Sequence, residues 1–327
     1  MANVLVTHRL PGDGVGRIGE AGHDVAVHEG PPMTRAQLLE AVAGRAGLVT
    51  LLSDRIDTEV FDAAGDGLRV VSNYAVGYNN VDLDEATRRG VAVCNTPGVL
   101  TEATADLAWA LVMAVSRRVV EGDRLVRGGG WTGWKPGELL GVDLVGRTLV
   151  IVGAGRIGHA VARRSQGWSM NVVYVSRQRN ELFERDFAAP KMDLDEALAM
   201  GDIVSLHVPL TESTRHMIDG RRLARMKPTA CLVNTSRGPV VDEAALVEAL
   251  ASGTIAGAGL DVYEREPALA EGLAGCGNAV LLPHLGSATS QTRAAMSEVA
   301  AENLLAALAG ERPRHVVNPA AIRAWPG

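Results

Sequence analysis

Three residues late in the sequence have types that could do chemistry together: Arg237, Glu266 and His284. Each follows a short apolar run and lies among turn-formers: Thr235-Ser236-Arg237-Gly238-Pro239, Glu264-Arg265-Glu266-Pro267 and Pro283-His284-Leu285-Gly286-Ser287. A guanidinium can hold a carboxylate as a two-pronged fork and polarise an adjoining carbonyl. An imidazole can give a proton to that oxygen as a hydride arrives at carbon. A carboxylate behind the imidazole orients it and stabilises its protonated form. One group of each kind is what reduction of a 2-keto acid requires. Taken singly, each residue reads as an ordinary loop residue, and Glu264 competes with Glu266 for the carboxylate's part. Their weight comes from position, because open α/β sheets bind ligands at the carboxyl ends of their strands.

A second signal lies upstream. Gly153-Ala154-Gly155-Arg156-Ile157-Gly158 follows the β-branched run 148–152 and opens a stretch with helical spacing at Ile157, Ala160, Val161 and Arg164. Another apolar run, 171–175, comes next. Strand, glycine turn, helix and strand together make a dinucleotide fingerprint, with the pyrophosphate expected at the helix N-terminus. Gly14-Val15-Gly16-Arg17-Ile18-Gly19 matches the same template but stands apart from its strand at 3–7. A helix there has room for about two turns before the next strand, short for a crossover, so its glycines read as turn-formers.

The elements that must position these groups fall into two series. Apolar runs at 3–7, 24–28, 47–52, 69–75 and 91–95, with helix-competent stretches at 35–46 and 82–89, predict a small parallel sheet. Thr96-Pro97-Gly98 breaks the pattern. Thr101 can cap a long helix over 102–126, closed by Gly128-Gly129-Gly130. That helix is apolar nearly all round, which predicts burial between domains or against a second subunit. Six further strands are expected at 148–152, 171–175, 203–208, 229–234, 255–260 and 279–282, and a last helix over 290–309. The tail, 312–327, carries three prolines and is expected over the surface.

These series predict an α/β protein of two doubly wound parallel-sheet domains. A Rossmann nucleotide-binding domain, 100–287, is inserted into a smaller flavodoxin-like substrate domain formed by 1–99 and 288–327. The 327 residues, 47% hydrophobic and 21% charged, hold enough material for two cores. A net charge of −6 argues against nucleic acid or anionic membrane as partner, and 4% aromatics against base-stacking platforms. No apolar run reaches the ~20 residues of a membrane span, and the N-terminus enters a strand without a basic segment. Cys94, Cys231 and Cys276 are too widely spaced for a disulfide framework or a zinc site. A cytoplasmic protein without a metal is expected.

From Asn73-Tyr74-Ala75-Val76-Gly77-Tyr78-Asn79-Asn80-Val81-Asp82 to His284-Leu285-Gly286-Ser287-Ala288-Thr289, the chain resembles the D-isomer-specific 2-hydroxyacid dehydrogenases. Within them it is most similar to the glyoxylate/hydroxypyruvate reductases. The resemblance includes residues 96–106, 131–136 and 255–267 and extends over nearly the whole chain. It implies Arg237 as substrate ligand, Glu266, the glutamate directly before proline, as the histidine's partner, and His284 as acid/base. It implies that the Val76 and Gly77 N–H groups receive the substrate carboxylate, with Thr104 near the nicotinamide; Leu52, in Leu51-Leu52-Ser53, and the Trp131/Trp134 loop are expected to set substrate size. Along the cofactor it implies Gly153, Gly155, Arg156, Ile157 and Gly158, then His207, Val208, Pro209 and Thr214 after the third strand. Thr235 and Ser236 join Arg237 on the next loop, with Asp261 and then Gly286 and Ser287 beside His284. Asn79 stands where an aspartate is common in the family. A homodimer is expected, with Trp134 of the Trp131-Thr132-Gly133-Trp134 loop reaching the neighbouring subunit.

The end of the strand at 171–175 bears on the cofactor. An NAD site places an acid there for the ribose hydroxyls, but the sequence reads Ser176-Arg177-Gln178-Arg179. A hydroxyl and two guanidiniums suit a 2′-phosphate. NADP(H) is therefore expected, with NAD(H) open as a second cofactor. The expected activity is reduction of glyoxylate or hydroxypyruvate to glycolate or D-glycerate. The alternatives are a phosphoglycerate- or lactate-type dehydrogenase, and a non-catalytic, corepressor-like nucleotide sensor.

Overall fold

The computed structural model describes residues 1–322, so the end of the tail expected over the surface lies outside the described residues. The chain forms two compact units: Thr101–Gly286, and residues 1–100 together with the segment from Ser287 onward. Both are parallel sheets covered by helices.

In the first unit the strands are β1 (Asn3–Val6), β2 (Asp24–Val27), β3 (Gly47–Thr50), β4 (Val70–Asn73) and β5 (Ala92–Cys94), in the order β2-β1-β3-β4-β5. Alternate strand residues serve opposite faces. Leu5, Leu48, Val71 and Val93 join a core with Leu38, Val60, Phe61 and Ala86 from the helices Arg35–Ala41, Thr58–Ala64 and Leu83–Arg88. On the other face lies the helix Ser290–Ala309, whose Ala300 carbonyl accepts from Ser72 Oγ at 2.8 Å.

The early glycine motif is not a set of turn-formers. Gly14–Glu20 is an α-helix, and Gly14 lies so close to the Ser297 backbone that a Cβ would overlap it. Two helical turns suffice because residues 7–13 share the crossover from β1 to β2.

The second unit contains β6 (Thr148–Val152), β7 (Asn171–Val175), β8 (Ile203–Leu206), β9 (Cys231–Asn234), β10 (Gly257–Leu260) and β11 (Ala279–Leu281), in the order β11-β10-β9-β8-β6-β7. Beyond β7, Lys191 makes one parallel bridge to Tyr174, a vestigial outer strand. The alternation is again strict. Val150 and Val152 face a core with Leu198, Leu246 and Leu260, whereas Leu149 and Ile151 face Ala108, Leu111 and Val161.

The long helix expected over 102–126 is two helices, Thr101–Ser116 and Val119–Arg127. The Ser116 carbonyl, which a continuous helix would give to Val120, accepts instead from Val142 N at 2.8 Å, and Arg118 turns left-handed at φ 52°. Thr101 is helical itself rather than a cap. The first helix packs on its own unit's sheet. Trp109 donates to the Val161 carbonyl at 2.9 Å and stacks on Trp168 at 4.4 Å. The buried residues of this helix, Ala105, Ala108, Leu111, Val112 and Val115 among them, pack inside the second unit. The second helix buries none of its residues. Among the described residues no helix is long and apolar enough to cross a membrane, and no group of three or more His, Cys, Asp or Glu could hold a metal ion.

Candidate active site

Three turns at the carboxyl ends of β9, β10 and β11 carry Arg237, Glu266 and His284. Asn234 shapes the first turn. Its Oδ1 accepts from the Ser236 N–H at 3.0 Å and from Ser236 Oγ at 2.8 Å, and its Nδ2 donates to the Arg237 carbonyl at 3.0 Å. Such local amide bonds are why asparagine ends strands. Arg237 is half-buried and donates from Nη1 to the Ser236 carbonyl at 2.7 Å. Burial lowers its pKa and the charge of Glu266 works the other way; the net is below the ordinary value. A guanidinium stays charged regardless.

Glu266 Oε2 lies 2.9 Å from His284 Nδ1, and Glu266 Oε1 accepts from the Tyr263 N–H at 3.0 Å. Burial pushes the Glu266 carboxyl up. The bond and charge of His284, the Tyr263 N–H and the charge of Arg237 outweigh it and hold the carboxyl below its usual range. The structure thus brings all three expected groups into one electrostatic cluster. Glu264 is engaged elsewhere: its Oε1 lies 2.9 Å from His216 Nε2 and accepts from the Glu243 N–H at 3.0 Å. Glu243 returns a bond, accepting from the Glu264 N–H at 2.6 Å. Glu266 is the glutamate that meets the histidine.

His284 sits at φ 55°, uncommon for a residue with a side chain, and its N–H donates to the Asp261 carbonyl at 3.0 Å. The Asp261 carboxylate accepts from Leu285 N at 2.6 Å and Gly286 N at 2.8 Å. Burial dominates and raises its pKa despite these bonds. Thr104 Oγ1 donates to the Gly286 carbonyl at 3.0 Å. Asp261, Thr104 and Gly286 therefore brace the histidine turn. Ser287 is where the chain re-enters the first unit, its carbonyl accepting from Arg293 Nε at 3.2 Å.

The fingerprint has the shape a pyrophosphate needs. Gly153, at φ 104°, packs against the His207–Val208 peptide, and a Cβ on Gly158 would strike the Gly153 carbonyl. Gly155 precedes the helix Arg156–Ser165 in an extended conformation, with no side-chain cap and no atom near its Cβ position. Ile157 lies on the first turn of that helix. Thr235 Oγ1 is buried and has no hydrogen-bond partner among the described residues. Burial lowers the His207 pKa to about 3, leaving a neutral ring bonded to Ser205 Oγ at 2.8 Å. Past His207, Val208 and Pro209, the Thr214 hydroxyl donates back to the Pro209 carbonyl at 2.7 Å. These features fit a dinucleotide.

After β7 the expected phosphate ligands differ in availability. Ser176 Oγ donates to the Gln178 carbonyl. Arg179 is paired with Glu184, Nη2 to Oε2 at 2.6 Å, so part of its fork is taken. Arg177 is exposed and makes no ion pair among the described residues. Sequence reasoning missed Asn180, which donates to the Ala154 carbonyl at 2.8 Å and caps the next helix through Phe183 N. It ties the fingerprint turn to the turn after β7. An Asn three residues before Phe183, at the start of an amphipathic stretch, was its available signal.

Leu52, Val76 and Gly77 belong to the first unit, just past the carboxyl ends of β3 and β4. Leu52 is in the turn that Asp54 closes by accepting from Leu51 N at 2.7 Å.

Residues 109–286 match the family described as D-isomer specific 2-hydroxyacid dehydrogenase, NAD binding domain. The chain is 51% identical over 326 residues to a glyoxylate reductase of Korarchaeum cryptofilum, covering 99% of this chain and 98% of that protein. A crystal structure of a protein from Thermus thermophilus superposes with a TM-score of 0.90 at 50% identity, covering 96% of this chain and 99% of that one. An NADPH-dependent glyoxylate/hydroxypyruvate reductase from Sinorhizobium meliloti, in complex with NADP and malonate, gives a TM-score of 0.86 at 33% identity, with 98% of each chain covered.

Proposed function

The chain belongs to the D-isomer-specific 2-hydroxyacid dehydrogenases, and from that membership we propose that it reduces glyoxylate and hydroxypyruvate to glycolate and D-glycerate, preferring NADPH. The observation that carries the reading is the 2.9 Å contact between Glu266 and His284, with Arg237 in the same electrostatic cluster. A reduced nicotinamide, when bound, supplies the hydride. His284 gives the proton from Nε2 to the carbonyl oxygen, because Nδ1 is engaged by Glu266. Glu266 holds the ring in that orientation and stabilises its charged form. Arg237 binds the substrate as a planar fork and polarises its carbonyl. The Val76 and Gly77 N–H groups receive the substrate carboxylate, and Leu52 limits substrate size.

Gly153, Gly155 and Gly158 let the pyrophosphate approach the N-terminus of the Arg156–Ser165 helix. Thr235 offers its unpartnered hydroxyl to the cofactor. Arg177, with Ser176 and the uncommitted part of Arg179, receives the 2′-phosphate. That preference is supported by the lack of an acid after β7 and by the NADPH-dependent relative. The protein works as a homodimer, supported by the exposed Val119, Val126, Trp131, Trp134, Leu140 and Val145 on residues 119–145. The test is initial rates on glyoxylate, hydroxypyruvate, pyruvate and 3-phosphohydroxypyruvate with NADPH and with NADH. The highest kcat/KM is expected for the first two with NADPH. A preference for another keto acid would reassign the substrate, and absence of turnover with bound cofactor would leave a nucleotide sensor.

A further inference from the structure

We propose that Asn73, Asn80 and Asn95 are positioning residues for the substrate: they pre-set the N–H donors of the Val76–Gly77 turn and fix its spacing from the turn that carries Leu52. The proposal rests on the reading above, in which the Val76 and Gly77 amides receive a carboxylate.

Three successive peptides of that turn are held by their carbonyls. The Ala75 carbonyl accepts from Thr96 N at 2.9 Å, that of Val76 from Asn95 Nδ2 at 2.8 Å, and that of Gly77 from Asn73 Nδ2 at 2.9 Å. A peptide is planar and its C=O and N–H point in opposite directions. Fixing these carbonyls therefore fixes the N–H groups of Val76, Gly77 and Tyr78. None of the three N–H groups has an acceptor among the described residues. Successive oriented amides of this kind suit an anion.

The spacing to the second turn is set by an amide pair. Asn73 and Asn80 exchange bonds, Nδ2 to Oδ1, at 3.2 Å in both directions. Asn80 Nδ2 also donates to the Leu51 carbonyl at 3.1 Å and the Asp54 carbonyl at 2.9 Å. Asp54 closes its own turn and accepts from Thr7 Oγ1 at 2.5 Å. One network thus reaches both substrate-facing turns. Asn73 is fully buried and Asn95 nearly so, and amides are buried at a cost unless each bond is made.

Asn95→Ala frees the Val76 carbonyl and with it the orientation of the Gly77 N–H. The KM for glyoxylate should rise roughly 10-fold or more, the size of one charge-assisted bond. The kcat should stay within about 3-fold, because the proton and hydride partners are untouched. The NADPH dissociation constant, read by fluorescence, should not change. Asn80→Ala should lower the preference for glyoxylate over phenylpyruvate by about 5-fold or more, as loosened turns reject bulk less well. A purely structural role would lower the melting temperature without moving KM or that ratio in the folded protein. An Asn95→Ala protein with wild-type circular dichroism, NADPH affinity and KM would overturn the proposal. Should it not fold, Asn95→Ser carries the same expectation and the same refutation. A wild type inactive on glyoxylate would overturn both this and the functional reading, whereas an active wild type beside unaffected variants would overturn only the role of the asparagines.

Discussion

At His284 the backbone decides which substitution tests the chemistry. Its φ of 55° is one that asparagine tolerates better than most residues. His284→Asn should therefore fold, yet lose turnover on glyoxylate by ~100-fold or more, the usual contribution of a general acid. The same variant has a second readout. Burial raises the Glu266 carboxyl, and the largest opposing influence is the bond from His284. Without the imidazole, the Glu266 carboxyl should titrate at higher pH than in the wild type, followed by carbon NMR of the glutamate carboxyls; an unmoved value would mean the two groups are not coupled in solution. Arg177 is the corresponding test for the cofactor. Arg177→Ala should raise the NADPH dissociation constant by about 10-fold while leaving NADH nearly unaffected. That is the low end for a charge-assisted bond, because the guanidinium is exposed and screened. Equal loss of both cofactors would remove Arg177 from phosphate recognition.

Among the elements, β6 and β8 depend on a carboxylate that holds their starts. Asp202, immediately before β8, accepts from Thr148 N at 2.9 Å and from Lys227 Nζ at 2.9 Å. Burial pushes its carboxyl up, but these bonds and the charges of Lys227 and Arg147 bring it below the ordinary 3.8. A depressed folded value means that Asp202 stabilises the protein fully above the unfolded value and ceases to do so as pH falls through the folded one. Asp202→Asn should thus cost about 1–3 kcal/mol at pH 7, and the gap to wild type should narrow toward about pH 3. A gap of equal size at both pH values in thermal melts would show that the charge is not what matters. The broken helix belongs to this scale too. Its apolar run was legible, but a run of apolar residues does not say where a carbonyl will find a better partner, and Val142 lies well down the chain from Ser116.

For the whole molecule, the exposed apolar side chains on 119–145 make the testable claim. Trp134 is 82% and Leu140 69% exposed, and side chains of this size gathered on one stretch are commonly covered by a partner. A two-fold dimer is expected, and sedimentation at micromolar concentration should give twice the 34.4 kDa of one chain. A 34.4 kDa species would refute it. The helix Thr101–Ser116 packs much of its apolar surface on its own unit's sheet, and the large exposed apolar side chains lie on the segment after it.

Periodicity, turn residues and motif spacing were enough to determine two parallel sheets, the glycine turn that opens the Arg156–Ser165 helix, and the three turns that carry Arg237, Glu266 and His284. These are local signals: an apolar run, a glycine where a side chain cannot fit, and an asparagine or proline that ends a strand. The tertiary structure decided what depends on groups far apart in sequence. It gave His284 to Glu266, while Glu264 is engaged by the Glu243 N–H. It made a helix of the early glycine motif and set Gly14 against Ser297, where a side chain would overlap. It bound part of Arg179 to Glu184, leaving Arg177 the more available cation. Each outcome is a competition between partners for one hydrogen bond, one charge or one small volume, and that competition exists only once the chain has brought the rivals together.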